Sequence, residues 1–122
     1  QKLDLGNNGI SSIGIRALLD VIIERDSRIA YIDLSENAIG SEGASFLADA
    51  LGRNTVPHLT RLRLRWCNFG DDGLIEFVSA LERNRTMVEL DLLWNDDLTE
   101  RSFLALANSL PDIKTLQRLD LS

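Results

Sequence analysis

Apolar residues along the chain come as short pairs with one residue between them: Leu3 and Leu5, Ile32 and Leu34, Leu62 and Leu64, Leu90 and Leu92, Leu119 and Leu121. A period of two over so short a stretch predicts a very short strand with one buried face. The first members fall at 3, 32, 62, 90 and 119, so the pairs return at intervals of 29, 30, 28 and 29 residues. Between pairs the period changes. From the apolar anchors Ile10, Ile39, Phe69 and Leu98, the residues five, eight and twelve further on are Ile15, Leu18 and Ile22; Ala44, Leu47 and Leu51; Leu74, Phe77 and Leu81; Phe103, Leu106 and Leu110. Steps of three and four trace one face of a helix, so each unit is a strand followed by an amphipathic helix. Val21, Ala50, Ala80 and Ser109, eleven on, widen that face.

Polar residues punctuate the same frame. Three positions after the second apolar residue stand Asn8, Asn37, Cys67 and Asn95, where a side chain can satisfy backbone groups as the chain leaves the strand. Ser12, Ser41 and Asp71 suit helix starts, with Glu100 in the equivalent place. At Gly14, Gly43, Gly73 and Ser102 a larger side chain would hinder close helix packing. The extra residue at Asp96-Asp97 predicts an irregular turn, and the sequon Asn84-Arg85-Thr86 reads as a polar loop. Strands joined through helices and lying side by side must be parallel, with right-handed crossovers.

Repeats of this length, with the form Leu-x-Leu-x-x-Asn-x-Ile-Gly followed by a helix, resemble the ribonuclease-inhibitor-like class of leucine-rich repeats. The run Ile39-Gly40-Ser41-Glu42-Gly43-Ala44-Ser45-Phe46-Leu47-Ala48-Asp49-Ala50-Leu51 carries the resemblance most fully. It implies an α/β solenoid, a curved horseshoe segment with strands inside and helices outside. Residues 1–122 then form one leucine-rich repeat domain of about four repeats, with strands near 2–6, 31–35, 61–65, 89–93 and 118–122. Neither end resembles a polar capping unit, so the expectation is a piece of a longer solenoid. By family habit such a horseshoe binds proteins. Known members include ribonuclease inhibitors, activators of the GTPase Ran, sensor domains of innate immune receptors and tropomodulin-like actin regulators.

Composition narrows the function. A formal charge of −6 argues against nucleic acid as a partner. No apolar run approaches the roughly 18 residues of a membrane span, so no membrane partner is expected. The single cysteine, Cys67, excludes an internal disulfide and places the protein inside the cell, in the cytoplasm. Its ladder position predicts a buried, inert thiol. The one histidine, His58, has no nucleophile phased to it, and no glycine-rich phosphate loop or metal-ligand spacing is present. The expectation is a protein that is not an enzyme, with no cofactor and no metal.

The non-leucine strand residues form columns on the inner wall: Lys2, Tyr31, Arg61, Glu89, Arg118; Asp4, Asp33, Arg63, Asp91, Asp120; and Gly6, Ser35, Arg65, Leu93, Ser122. With parallel strands about 4.8 Å apart, Arg63 should stand between Asp33 and Asp91. Arg61, Arg63 and Arg65 crowd one strand, Trp66 follows them, and Trp94 takes the equivalent place one repeat on. Arginine and tryptophan are enriched at binding hot spots. Tyr31, Arg61, Arg63, Arg65, Trp66 and Trp94 are therefore the candidate protein-binding residues of a non-catalytic scaffold that uses its concave face and adjacent loops. The tryptophans could instead staple the turns. Two other functions stay open, a GTPase-activating protein of the Ran-activator kind and a structural element of a large assembly. The partner's identity and the oligomeric state are not fixed by the sequence.

Overall fold

The computed structural model describes residues 1–121. Five three-residue strands, β1 (Lys2–Asp4), β2 (Tyr31–Asp33), β3 (Arg61–Arg63), β4 (Glu89–Asp91) and β5 (Arg118–Asp120), alternate with helices α1 (Ser12–Glu24), α2 (Gly40–Gly52), α3 (Gly70–Arg83) and α4 (Glu100–Ser109). A 3-10 turn, Leu110–Asp112, follows α4. The strands form one parallel sheet in chain order, and each apolar pair is in register with the next: Leu3 with Ile32, Ile32 with Leu62, Leu62 with Leu90, Leu90 with Leu119. Each helix packs on the helices before and after it in sequence. The result is the α/β leucine-rich repeat solenoid expected from the spacing.

One continuous core lies between sheet and helices. It contains Ile32, Leu34, Leu62, Leu64, Leu90 and Leu92 from the strand side, the anchors Ile39 and Phe69, and Ile15, Leu47, Leu74 and Phe77 from the helices. Two inward assignments fail at the last helix. Phe103 and Leu110 are 45% and 53% exposed, because the residues five and twelve beyond an anchor are buried by the following helix, and none follows α4 among the described residues. Val21 is likewise 56% exposed, whereas its counterparts Ala50 and Ala80 are buried against a preceding helix.

The asparagine ladder ties neighbouring repeats together through their backbone. Asn37 donates through Nδ2 to the carbonyls of Leu5 and Leu34, each at 2.9 Å, while its Oδ1 accepts from the backbone N–H groups of Asn8 and Ile10 at 3.0 and 2.9 Å. Asn95 repeats the pattern with Leu64, Leu92, Cys67 and Asn68. Each amide thus joins two repeats by satisfying backbone that would otherwise be buried without partners. Cys67 fills the intervening place as a weaker version, its thiol donating to the Leu34 carbonyl at 3.3 Å. Burial raises that thiol's pKa to about 12.

Helix starts differ from the sequence expectation. The caps of α2 and α3 are the apolar anchors Ile39 and Phe69, without side-chain caps, and Ser41 and Asp71 lie inside the first turn. Gly40 and Gly70, both at φ +65°, make the sharp entry that replaces a capping side chain. At Gly73 a Cβ would stand 2.7 Å from Phe69 Cβ, so the helix could not fold back over its own anchor. Asp71 instead serves the next repeat, accepting hydrogen bonds from the Thr99 backbone N–H and from the Thr99 and Ser102 hydroxyls at the start of α4. Those bonds, Ser102's first, hold its carboxyl down at about 2.

Candidate protein-interaction surface

The three-residue strands leave their polar residues in register on the outward side of the sheet. Tyr31 pairs with Arg61 and Arg61 with Glu89, while Asp33 pairs with Arg63 and Arg63 with Asp91. Arg63 reaches Asp33 at 3.3 Å and Asp91 at 3.4 Å, standing between them as the spacing predicts. Arg65 reaches the same Asp91 at 2.6 Å, and Arg61 meets Glu89 at 3.3 Å. The hydrogen bond to Asp91 raises the pKa of Arg65. Burial pushes Asp33 up, but bonds from Ser35 and the charge of Arg63 outweigh it and hold the carboxyl below its ordinary value.

Tyr31 sits among these charges, with Lys2 Nζ 4.9 Å and the Arg63 guanidinium 5.7 Å from its ring centre. Burial and the negative charge of Asp33 raise its phenol pKa. Tyr31, Arg61, Arg63 and Arg65 line one open depression of about 250 Å³ together with Asp91 and Asp120. The arginines crowded on and just after β3 are therefore not a free positive patch. Each already has a carboxylate, and the wall is a lattice of alternating charge.

Trp66 and Trp94 lie apart from that depression, on the turns that follow β3 and β4. Their rings stack with centroids 5.4 Å apart and planes inclined by 10°, and they remain 51% and 50% exposed. Both adopt left-handed backbone, φ +57° and +63°, the conformation that Asn7 and Glu36 hold at the equivalent positions. For a residue other than glycine or asparagine this costs about 1–2 kcal/mol apiece. An aromatic stack returns only about 0.5–1.5 kcal/mol beyond its buried area. Asn7 and Glu36 make the same turn without an aromatic ring, so the turn itself does not require tryptophan.

Beside the tryptophans runs a second open groove of about 350 Å³, lined also by Asn68, Asn95, Asp96 and Asp97. The structure thus divides the six sequence-predicted residues into a wall group of four and a turn group of two. The sequence reads the acids beside the tryptophans as a solvated, irregular turn in preference to a cation-binding pair. Their adjacency in sequence to Trp94 was the available signal. Asn84 lies in the loop after α3, as the sequence reading has it, but it is not a solvated loop residue. It is buried, donates to the Leu51 carbonyl at 2.9 Å, and accepts from the N–H groups of Thr86 and Met87 at 3.0 and 2.7 Å. It is a second ladder asparagine at the helix end, inaccessible to glycosylation in the folded chain.

Among the described residues no group of three or more histidine, cysteine, aspartate or glutamate side chains is arranged to hold a metal ion. No helix among them is long and apolar enough to cross a membrane.

A family profile described as "Leucine Rich repeat" matches residues 1–19, 30–48 and 57–78. The chain is 30% identical, over 122 residues and all of its length, to human "NACHT, LRR and PYD domains-containing protein 13", of which it spans 11%. It is 30% identical over 99% of its length to mouse "NACHT, LRR and PYD domains-containing protein 14", of which it spans 12%. The chain thus spans little more than a tenth of these two relatives. Among solved structures, the tropomodulin C-terminal domain of Caenorhabditis elegans aligns with a TM-score of 0.47 at 13% identity, over 92% of this chain and 83% of that one.

Proposed function

Because the chain belongs to the ribonuclease-inhibitor-like class of leucine-rich repeats, we propose that it is a non-catalytic protein-interaction scaffold whose contact surface is the strand wall together with the Trp66–Trp94 turns. The observation that carries the reading is the tryptophan stack itself: two large aromatic side chains left half exposed on successive turns, at a position where other repeats carry Asn7 and Glu36. Stacked, half-exposed indoles beside a rigid sheet offer large contact area with little entropy left to lose.

Size shapes the proposal. Five strands at about 4.8 Å spacing, each presenting about three residues, project a wall of roughly 200 Å², against about 800 Å² per partner in a standard interface. The turns enlarge that surface, and further repeats would extend it. In support of further repeats, exposed apolar residues mark both ends of the helix layer, Ile13 and Val21 at one and Phe103, Leu104 and Leu110 at the other. If the domain is a segment of a longer solenoid, residues 1–122 alone should melt broadly and at low temperature. A sharp, monomeric, high-temperature melt would refute that part. The buried thiol of Cys67 suits a reducing, intracellular setting.

The test of the interface is partner capture by the intact protein, wild type against a Trp66→Ala, Trp94→Ala, Arg63→Ala variant whose circular dichroism is unchanged. Selective loss of a partner supports the reading. Full retention of every partner rejects it.

A further inference from the structure

The charges around the tryptophans are not those of the wall. Asp33, Asp91, Glu89 and Asp120 each hold an arginine, Asp72 holds Arg101, and Asp71 is occupied by Thr99 and Ser102. Asp96 and Asp97 are different. Both are exposed, both line the groove that contains the two indoles, and neither has an ion-pair or side-chain hydrogen-bond partner among the described residues. Asp97 Oδ2 lies 3.2 Å from the point a Cβ on Gly70 would occupy, so the glycine leaves room for that carboxylate against the neighbouring turn.

Three classes of contact can be weighed on this surface. An acidic partner would meet two uncompensated carboxylates, while the nearby arginines are already engaged. An apolar partner would cover the indoles but strip water from two unpaired charges, which is unfavourable. A cation satisfies both halves of the groove, since an indole face attracts it through the ring quadrupole and a carboxylate neutralises it. Arginine fits better than lysine, because its planar guanidinium can lie on an indole and bind a carboxylate through two parallel N–H bonds.

Resting on the interaction reading above, we infer that the Trp66–Trp94 groove, with Asp96 and Asp97 at its rim, receives an arginine side chain from a basic segment of the protein partner. The wall of paired charges then fixes alignment, and the groove supplies the selectivity for positive charge.

The probe is a twelve-residue glycine-serine peptide carrying two arginines and a neutral dye, titrated into the intact protein at low salt and followed by anisotropy. Controls carry citrulline, the uncharged isostere, or glutamate in place of arginine. Saturable binding of the arginine peptide is expected, about tenfold weaker with citrulline, and weakened further by added salt. Asp96→Asn with Asp97→Asn should lower affinity for the arginine peptide by about tenfold while leaving the fold untouched, since both side chains are exposed. Trp66→Ala with Trp94→Ala should lower it as well. Equal binding of the citrulline peptide, an unchanged affinity in the Asn variant, or no binding of the arginine peptide would overturn the inference. Partner capture separates the two proposals: a partner lost with the tryptophan variant but kept with the Asn variant leaves the scaffold reading standing and removes the cationic groove.

Discussion

Asn95→Ala tests the account of what holds the repeats together. Asn95 is 6% exposed, and its side chain makes four short bonds to backbone, to the Leu64 and Leu92 carbonyls at 2.9 and 2.8 Å and from the Cys67 and Asn68 N–H groups at 3.0 and 2.9 Å, with a fifth, longer one to the Leu93 carbonyl at 3.3 Å. Alanine removes them all at once and leaves two donors and three acceptors without the amide, the four short bonds carrying most of the loss. At about 1 kcal/mol of net stabilisation per bond the loss is about 4 kcal/mol, a large share of a small domain's stability. Asn95→Cys is the graded control, because Cys67 occupies the same place one repeat earlier and its thiol still reaches a carbonyl. Cysteine should recover about 1 kcal/mol of the loss through that bond. Urea unfolding of the intact protein gives the global figure, and hydrogen exchange at the Cys67 and Asn68 amides gives the local one. A loss below about 1 kcal/mol with both amides still protected would refute the ladder as a tie between repeats.

Three further predictions follow from the same structure. Arg63→Ala removes two ion pairs, but the side chain is 40% exposed, so the loss should stay below about 1 kcal/mol and shrink further in high salt, as read by urea unfolding at two ionic strengths. Asp71 has a folded pKa of about 2, lowered from 3.8, so its contribution is fully present above pH 4 and lost as pH falls through about 2; Asp71→Asn should flatten the stability profile of α4 below pH 4, followed by exchange of its first-turn amides. The Cys67 thiol, buried and raised to about 12, should resist alkylation at pH 8 in the folded protein and react only on unfolding.

How much of this was legible in the sequence follows from where each residue's constraint lies. Leu62 and Leu64 could be read at once, because burial on one face of a strand imposes a period of two that no other local constraint mimics. The ladder was visible for the same reason: Asn37 and Asn95 stand at a fixed offset and each serves backbone that recurs in every repeat. The helix caps were not, since residues that cap well in isolation gave way to a glycine with positive φ at Gly40 and Gly70. Phe103 and Leu110 were misplaced because the pattern within one helix does not show whether a neighbour covers it. Asn84 escaped because its role depends on Leu51, one repeat back.

The candidate surface shows the same division more sharply. The strand columns already set Arg63 between Asp33 and Asp91, but the same reading grouped three arginines and two tryptophans as one contact set, and the structure separates them into a paired wall and a turn pair. Once Asp33, Asp91 and Glu89 are in register beside them, the arginines become part of a lattice of paired charge. The unspent charge lies one turn further on, at Asp96 and Asp97, where no strand neighbour reaches. Register therefore leaves the unpaired charge of this surface negative rather than positive, and the proposed preference of the groove for a cationic segment follows from that, with two indoles half in water beside two free carboxylates.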